Sequence, residues 1–181
     1  MSPMTRIARE APLHNAMLTG TTELALRGLL YLGLSTPAEP TPPKRLAESL
    51  GCSPTYLGKT LGLLVKADIL RSVRGARGGV VLARDPRTIT LLAVIEACQG
   101  SLVGDFCRTE KLKEMGVPCR FHEVMAALHG QVVKTLSGCT LAELLECPLP
   151  ILRGKRGSTS CKMTFHGADA LVEGVRARAK R

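Results

Sequence analysis

Thr55, Tyr56 and Lys59 stand close together in the chain, and Arg74 and Arg77 sit in the glycine-rich stretch Arg74-Gly75-Ala76-Arg77-Gly78-Gly79. Hydroxyls and a flexible cation on one face suit phosphate oxygens and base edges, and arginines at a narrow loop tip suit a minor groove. The seven cysteines form a second reactive set. Their thiolates can hold metals, exchange disulfides or attack electrophiles. The count is odd, and residues 1–16 show no continuous apolar stretch of signal-peptide type. That argues against an extracellular disulfide framework and leaves metal binding, redox sensing and burial open.

The charge points to a polyanion. The net charge is +10, and residues 17–100 carry ten Lys and Arg against six Asp and Glu. Residues 151–181 carry eight against two, while 101–150 are near balance at five against six. The excess lies in the N-terminal half and the tail, and nucleic acid is the first candidate partner. A solubility bias with a disordered tail is the plainer alternative. Hydrophobic residues make up 45% and aromatics 3%, with no Trp, so a core of Leu, Val, Ile and Ala and a mainly helical fold are expected. No apolar run approaches the ~20 residues needed to span a membrane, which predicts a cytoplasmic protein.

The elements that must position these side chains follow from periodicity and punctuation. Leu24, Ala25, Gly28, Leu29 and Leu32 fall at helical spacing, and the Pro-rich stretch Pro37 to Pro43 ends that helix. Thr41, Pro42 and Pro43 open a short second helix with Leu46, Ala47 and Leu50 inward, and Gly51 closes it. Ser53 and Pro54 restart a helix as N-cap and first residue, with Leu57, Leu61, Leu64 and Val65 inward. Two helices joined by Gly51, Cys52 and Ser53 make a helix-turn-helix, which places Thr55, Tyr56 and Lys59 on the exposed start of the second helix.

Ile69–Val73 and Val80–Ala83 read as a β-hairpin with Arg74 and Arg77 at its tip, and a hairpin after such helices is a wing. Thr90 caps a further helix. Phe121, Val124, Met125, Leu128, Val132 and Leu136 form an apolar stripe on a long helix, read as a dimerisation helix. Thr140 caps a last short one. The expected fold class is mainly α with a small β-hairpin wing, a winged helix-turn-helix plus a long dimerisation helix. Its parts are a flexible leader (1–16), a DNA-binding domain (17–98), a cysteine-containing loop (99–118), the dimerisation and closing helices (119–147) and a basic, mostly disordered tail (148–181).

On these residues the chain resembles the IscR/NsrR family of bacterial winged-helix transcription regulators (the Rrf family) over residues 17–147. The resemblance rests on Leu18-Thr19, Leu46-Ala47 and Ser53-Pro54-x-Tyr56-Leu57. It continues through Ala67-x-x-Leu70-x-Ser72-Val73-Arg74-Gly75-x-x-Gly78-Gly79-x-x-Leu82-Ala83, Ile89-Thr90-Leu91-x-x-Val94-Ile95-Glu96-Ala97 and Thr140-Leu141-Ala142-Glu143-Leu144. It implies a homodimer, typically a repressor, on a pseudo-palindromic stretch of double-stranded DNA. Ser53, Thr55, Tyr56 and Lys59 would face DNA from the recognition helix and Arg74 from the wing, to which the residues themselves add Arg77. Where several cluster-binding members carry Glu after the Tyr-Leu pair, this chain has Gly58. The family's usual start implies Met17 as the native first residue.

Cluster-binding members carry three Cys before the dimerisation helix, often five residues apart. Cys107 and Cys119 are twelve apart, so the middle position falls on Lys113, which has no lone pair at neutral pH. His122 follows Cys119 by three, as in some members. The resemblance thus implies an iron–sulfur cluster, 2Fe–2S for preference, on Cys107, Cys119 and His122. Glu23 of the partner subunit would complete it, or Cys98 as a substitute. The rival is a cluster-free site, with Cys107 and Cys119 as a redox pair or as zinc ligands with His122. Cys52, Cys139 and Cys147 read as packing residues. Cys119 and His122 as a nucleophile pair lack an orienting partner and an oxyanion hole, so no enzyme is expected. A winged helix devoted to protein contacts, without DNA binding, is the remote alternative.

Overall fold

The computed structural model describes residues 18–35, 39–75, 77–102 and 120–146. The leader to Met17, Cys107, Lys113, Cys119, Cys147 and the tail lie outside them. Six α-helices and one hairpin run in the order α1 (Gly20–Leu34), α2 (Pro43–Leu50), α3 (Pro54–Lys66), β1 (Leu70–Val73), β2 (Gly79–Leu82), α4 (Leu91–Gln99), α5 (Arg120–Ser137) and α6 (Leu141–Glu146) among the described residues. A single 3-10 turn, Pro86–Thr88, links the hairpin to α4. This is the expected mainly helical fold with a two-stranded wing.

The Thr19 hydroxyl caps α1 by accepting a hydrogen bond from the Thr22 N–H, a donor that a helix start leaves without an intrahelical partner. Leu24, Leu26, Leu29, Leu30, Leu32 and Leu34 are all buried, so α1 is covered on nearly every side. It packs against α2, α3, α4, β2 and α6 and is the central post of the domain. Leu46 and Leu50 from α2, Leu57 and Leu64 from α3, Ile69, Ile89 and Leu141 join it in one continuous core. Each such fully buried side chain contributes roughly 1.5–3 kcal/mol of transfer free energy.

Gly51 ends α2 in the left-handed region at φ 62°, and its N–H bonds the Ala47 and Glu48 carbonyls. The chain then turns through Cys52 and Ser53 into α3, so the two helices meet as the spacing requires. Two details differ from the sequence expectation. Ser53 occupies the N-cap position of α3, but its side chain makes no capping hydrogen bond. Pro42, not Thr41, is the N-cap of α2. Thr41 instead pairs with the wing, its N–H donating to Val80 O at 3.1 Å and its carbonyl accepting from Val80 N–H at 3.0 Å.

Leu70 stands opposite Leu82 and Val73 opposite Gly79 in the antiparallel hairpin. A Cβ at position 79 would meet the Thr41 backbone, so glycine there permits the close approach. At the far end of the domain Leu91 N–H donates to Cys139 O and Leu141 N–H to Ile89 O, both at 2.8 Å. Thr140 and Glu143 exchange hydrogen bonds in a capping box that opens α6.

Candidate nucleic-acid interface

Helix α3 buries Leu57, Thr60, Leu61 and Leu64, which turns the opposite face outward. Ser53, Thr55, Tyr56 and Lys59 are all exposed at or near its N-terminal end. Gly58 and Gly62 share this exposed side, and a Cβ built on either meets nothing within 4 Å. The first turn holds no acidic residue, so the positive end of the helix dipole carries no opposing charge of its own. Helix α2, which braces α3, is held in turn by Arg27. Its Nη2 donates to Leu50 O at 2.7 Å, at the carbonyl end of α2.

The wing presents Arg74 and Arg77, both exposed, on either side of its tip. Gly75 adopts φ 113°, a conformation that L side chains rarely take, and its carbonyl accepts from Gly78 N–H at 2.9 Å. These two glycines close the tip tightly, and the arginines stand out from it. Arg71 on β1 and Arg84 beyond β2 are exposed as well.

Tyr56 has a more specific environment than its position in the motif suggests. The residue is 43% exposed, while its hydroxyl shares a 2.8 Å hydrogen bond with Thr21 Oγ1 on α1. Sequence reasoning placed Tyr56 on the DNA side and missed the tether. The partners lie 35 residues apart, and no local pattern joins them.

Beyond the winged domain, α5 packs against α4. Phe121, Val124 and Leu128 are 59%, 50% and 54% exposed, so a row of large apolar side chains at helical spacing faces outward within this chain. His122 falls in the first turn of α5. Glu23 is half-buried in the first turn of α1. Cys98, near the end of α4, packs against the core, and burial pushes its thiol up to about 11. It would have to lose that proton to bind a metal. Burial also raises the Cys52 thiol, with Arg27 pulling the other way, and raises the Cys139 thiol, with Glu143 adding to it. Among the described residues no three Cys, His, Asp or Glu side chains form a group able to hold a metal ion.

Residues 18–147 match the Rrf2 family, described as iron-dependent transcriptional regulators. The chain belongs to the Rrf2 family. An HTH-type transcriptional regulator IscR of Sodalis glossinidius is 31% identical over 128 residues, 71% of this chain and 78% of that protein. Among solved Rrf2-like structures, an IscR from T. potens superposes with a TM-score of 0.51 at 30% identity, covering 71% of this chain and 85% of the other. CymR of B. subtilis, described as its global cysteine regulator, gives 0.55 at 25% identity, covering 71% and 95%. As an Rrf2 member the chain is a DNA-binding transcriptional regulator, and its relatives are regulators, not enzymes. Among the described residues no helix is long and apolar enough to cross a membrane.

Proposed function

We propose that the chain is a homodimeric repressor that reads a pseudo-palindromic operator, with DNA binding gated from the 99–122 region by an iron–sulfur cluster or by its thiols. Ser53, Thr55 and Lys59 enter the major groove from α3, with Tyr56 at its edge. Arg74 and Arg77 flank it in the minor groove. The observation that carries this reading is the pairing of an open, cation-bearing α3 face with an arginine-tipped wing on one rigid core. The exposed Phe121, Val124 and Leu128 supply the face for the second copy. In this scheme 17–98 binds DNA, 99–118 senses, 119–147 dimerises and the basic tail 148–181 adds to the positive field.

The described residues alone do not assemble a cluster site. The ligand set Cys107, Cys119, His122 and the partner's Glu23 is carried by sequence and by the family's iron-dependent description. A second reading, a cluster-free thiol regulator, is favoured by Lys113 at the middle ligand position and by the likeness to CymR.

One set of measurements tests both. Protein purified without oxygen is assayed for iron, sulfide and zinc beside its visible spectrum, with the Cys107→Ala and Cys119→Ala variants in parallel. Absorption at about 400–500 nm that both variants lose supports the cluster. A colourless protein that binds DNA only when Cys107 and Cys119 are reduced supports the thiol reading. For the dimer, Leu128→Glu is expected to halve the mass measured by light scattering. An unmodified chain that is already monomeric overturns it.

A further inference from the structure

We propose that Thr21 and Gln99 are positioning residues for DNA recognition: through Tyr56 they fix where the recognition helix begins. Helices α1, α4 and α6 each open on a threonine whose hydroxyl accepts from the helix's own backbone: Thr19, Thr90 and Thr140. Helix α3 does not. Ser53 makes no capping bond, Pro54 has no N–H to offer, and Gly58 and Gly62 lower the helical propensity of the turns that follow. Besides the burial of Leu57 in the core, the first turn of α3 is tied to α1 by the 2.8 Å bond between Tyr56 and Thr21.

That bond is only as fixed as the start of α1, and the start of α1 is held by the end of α4. Gln99 Oε1 accepts from Thr19 N–H at 3.0 Å and from the Thr22 hydroxyl at 2.9 Å. Thr22 is fully buried, so its hydroxyl cannot turn to water and depends on protein acceptors. The Thr19 and Thr22 hydroxyls lie 3.1 Å apart. With Thr22 donating to Gln99, Thr19 donates to Thr22, and the bonds run in one direction and reinforce one another. The backbone of the first turn of α1 joins these bonds to the Thr21–Tyr56 bond, so hydrogen bonds and chain together link the end of α4 to the first turn of α3. The residues that would read DNA, Thr55 and Lys59, flank Tyr56 on that turn.

The inference rests on α3 as the helix that enters the groove. The test uses the full chain and a fluorescein-labelled duplex that the unmodified chain selects from a randomised pool, beside a scrambled duplex of the same composition. Thr21→Val and Tyr56→Phe are each expected to weaken binding to the selected duplex by about three- to tenfold. The double variant is expected to be no weaker than either single one. In Thr21→Val, binding to the scrambled duplex and the salt slope stay unchanged, because Thr21 lies on α1 outside the DNA-facing set and no phosphate contact is lost.

Gln99→Leu is expected to show the same selective loss, and Gln99→Glu to restore binding, since a carboxylate oxygen accepts the same two hydrogen bonds. The proposal is overturned if Thr21→Val leaves selected-duplex binding intact, if the two losses add, or if Gln99→Glu is as weak as Gln99→Leu. An equal loss on the scrambled duplex in Thr21→Val or Gln99→Leu overturns it too. If the unmodified chain enriches no duplex, the reading of α3 as a groove-binding helix falls, and this inference falls with it.

Discussion

Gly33 on α1 lies directly beneath Leu145 on α6: a Cβ at position 33 would stand 2.6 Å from Leu145 Cδ1 and 2.9 Å from Cδ2. The absence of a side chain at 33 is what lets the closing helix rest on the central post. Gly33→Ala is expected to destabilise the fold by at most about 1 kcal/mol, because the half-buried Leu145 side chain can turn aside and the added methyl favours the helix, which together offset most of the overpacking. Adding Leu145→Ala should recover part of that loss. Thermal melts of the two variants decide it, and a Gly33→Ala protein as stable as the parent would mean α6 moves aside without cost.

Gly58 and Gly62 predict the opposite sign. Both lie within α3 with open space where a methyl would go. Gly58→Ala and Gly62→Ala should each raise stability, by up to about 1 kcal/mol. Urea titration measures this directly. Loss of stability in either variant would show that the exposed face of α3 is covered in the folded protein.

The helix-turn-helix and wing were legible from local rules: periodic leucines, Gly51 as a left-handed stop, and two β-type runs around a glycine-rich tip. The apolar stripe from Phe121 to Leu136 likewise announced a helix, and burial of Leu57 against exposure of Lys59 followed from spacing. The contacts between distant residues were not legible. Thr41 read as a helix start because Pro follows it, while the pairing with Val80 has no periodic trace in one residue. The bond from Thr22 to Gln99 spans 77 positions, and in the sequence alone neither residue is marked out from an ordinary surface polar one. Ser53 fits an N-cap by type, yet no side-chain bond forms there.

In the proposed docking Lys59 and Arg74 make two different kinds of DNA contact. Lys59→Ala is expected to flatten the dependence of log affinity on log salt by about one unit if the ammonium meets a phosphate. Arg74→Ala is expected to cost about 1–3 kcal/mol of binding if the wing engages a groove. Anisotropy titrations at several salt concentrations read both. Unchanged affinity in Arg74→Ala would leave the wing unengaged.

Cys98 gives a pH prediction. Burial holds its thiol protonated up to about 11, while in the unfolded chain it ionises in the ordinary thiol range. Above that range the unfolded state binds fewer protons, so this group's contribution to stability falls as pH rises from about 9 toward 11. It also makes Cys98 a slow nucleophile. At pH 8, iodoacetamide followed by peptide mass spectrometry should label Cys98 more slowly than Cys52 or Cys139. Faster labelling of Cys98 would mean the end of α4 opens readily.

The two backbone hydrogen bonds between Thr41 and Val80 have a consequence for affinity. They tie the tip end of strand β2 to the entry of α2, so the spacing between α3 and the wing, the two elements proposed to enter the grooves, is set before any duplex arrives. Preorganisation of this kind lowers the ordering penalty of association. In the proposed docking it also narrows the range of groove geometries the protein can accept, so a duplex whose curvature does not match the fixed span would be rejected by shape before a single base is read.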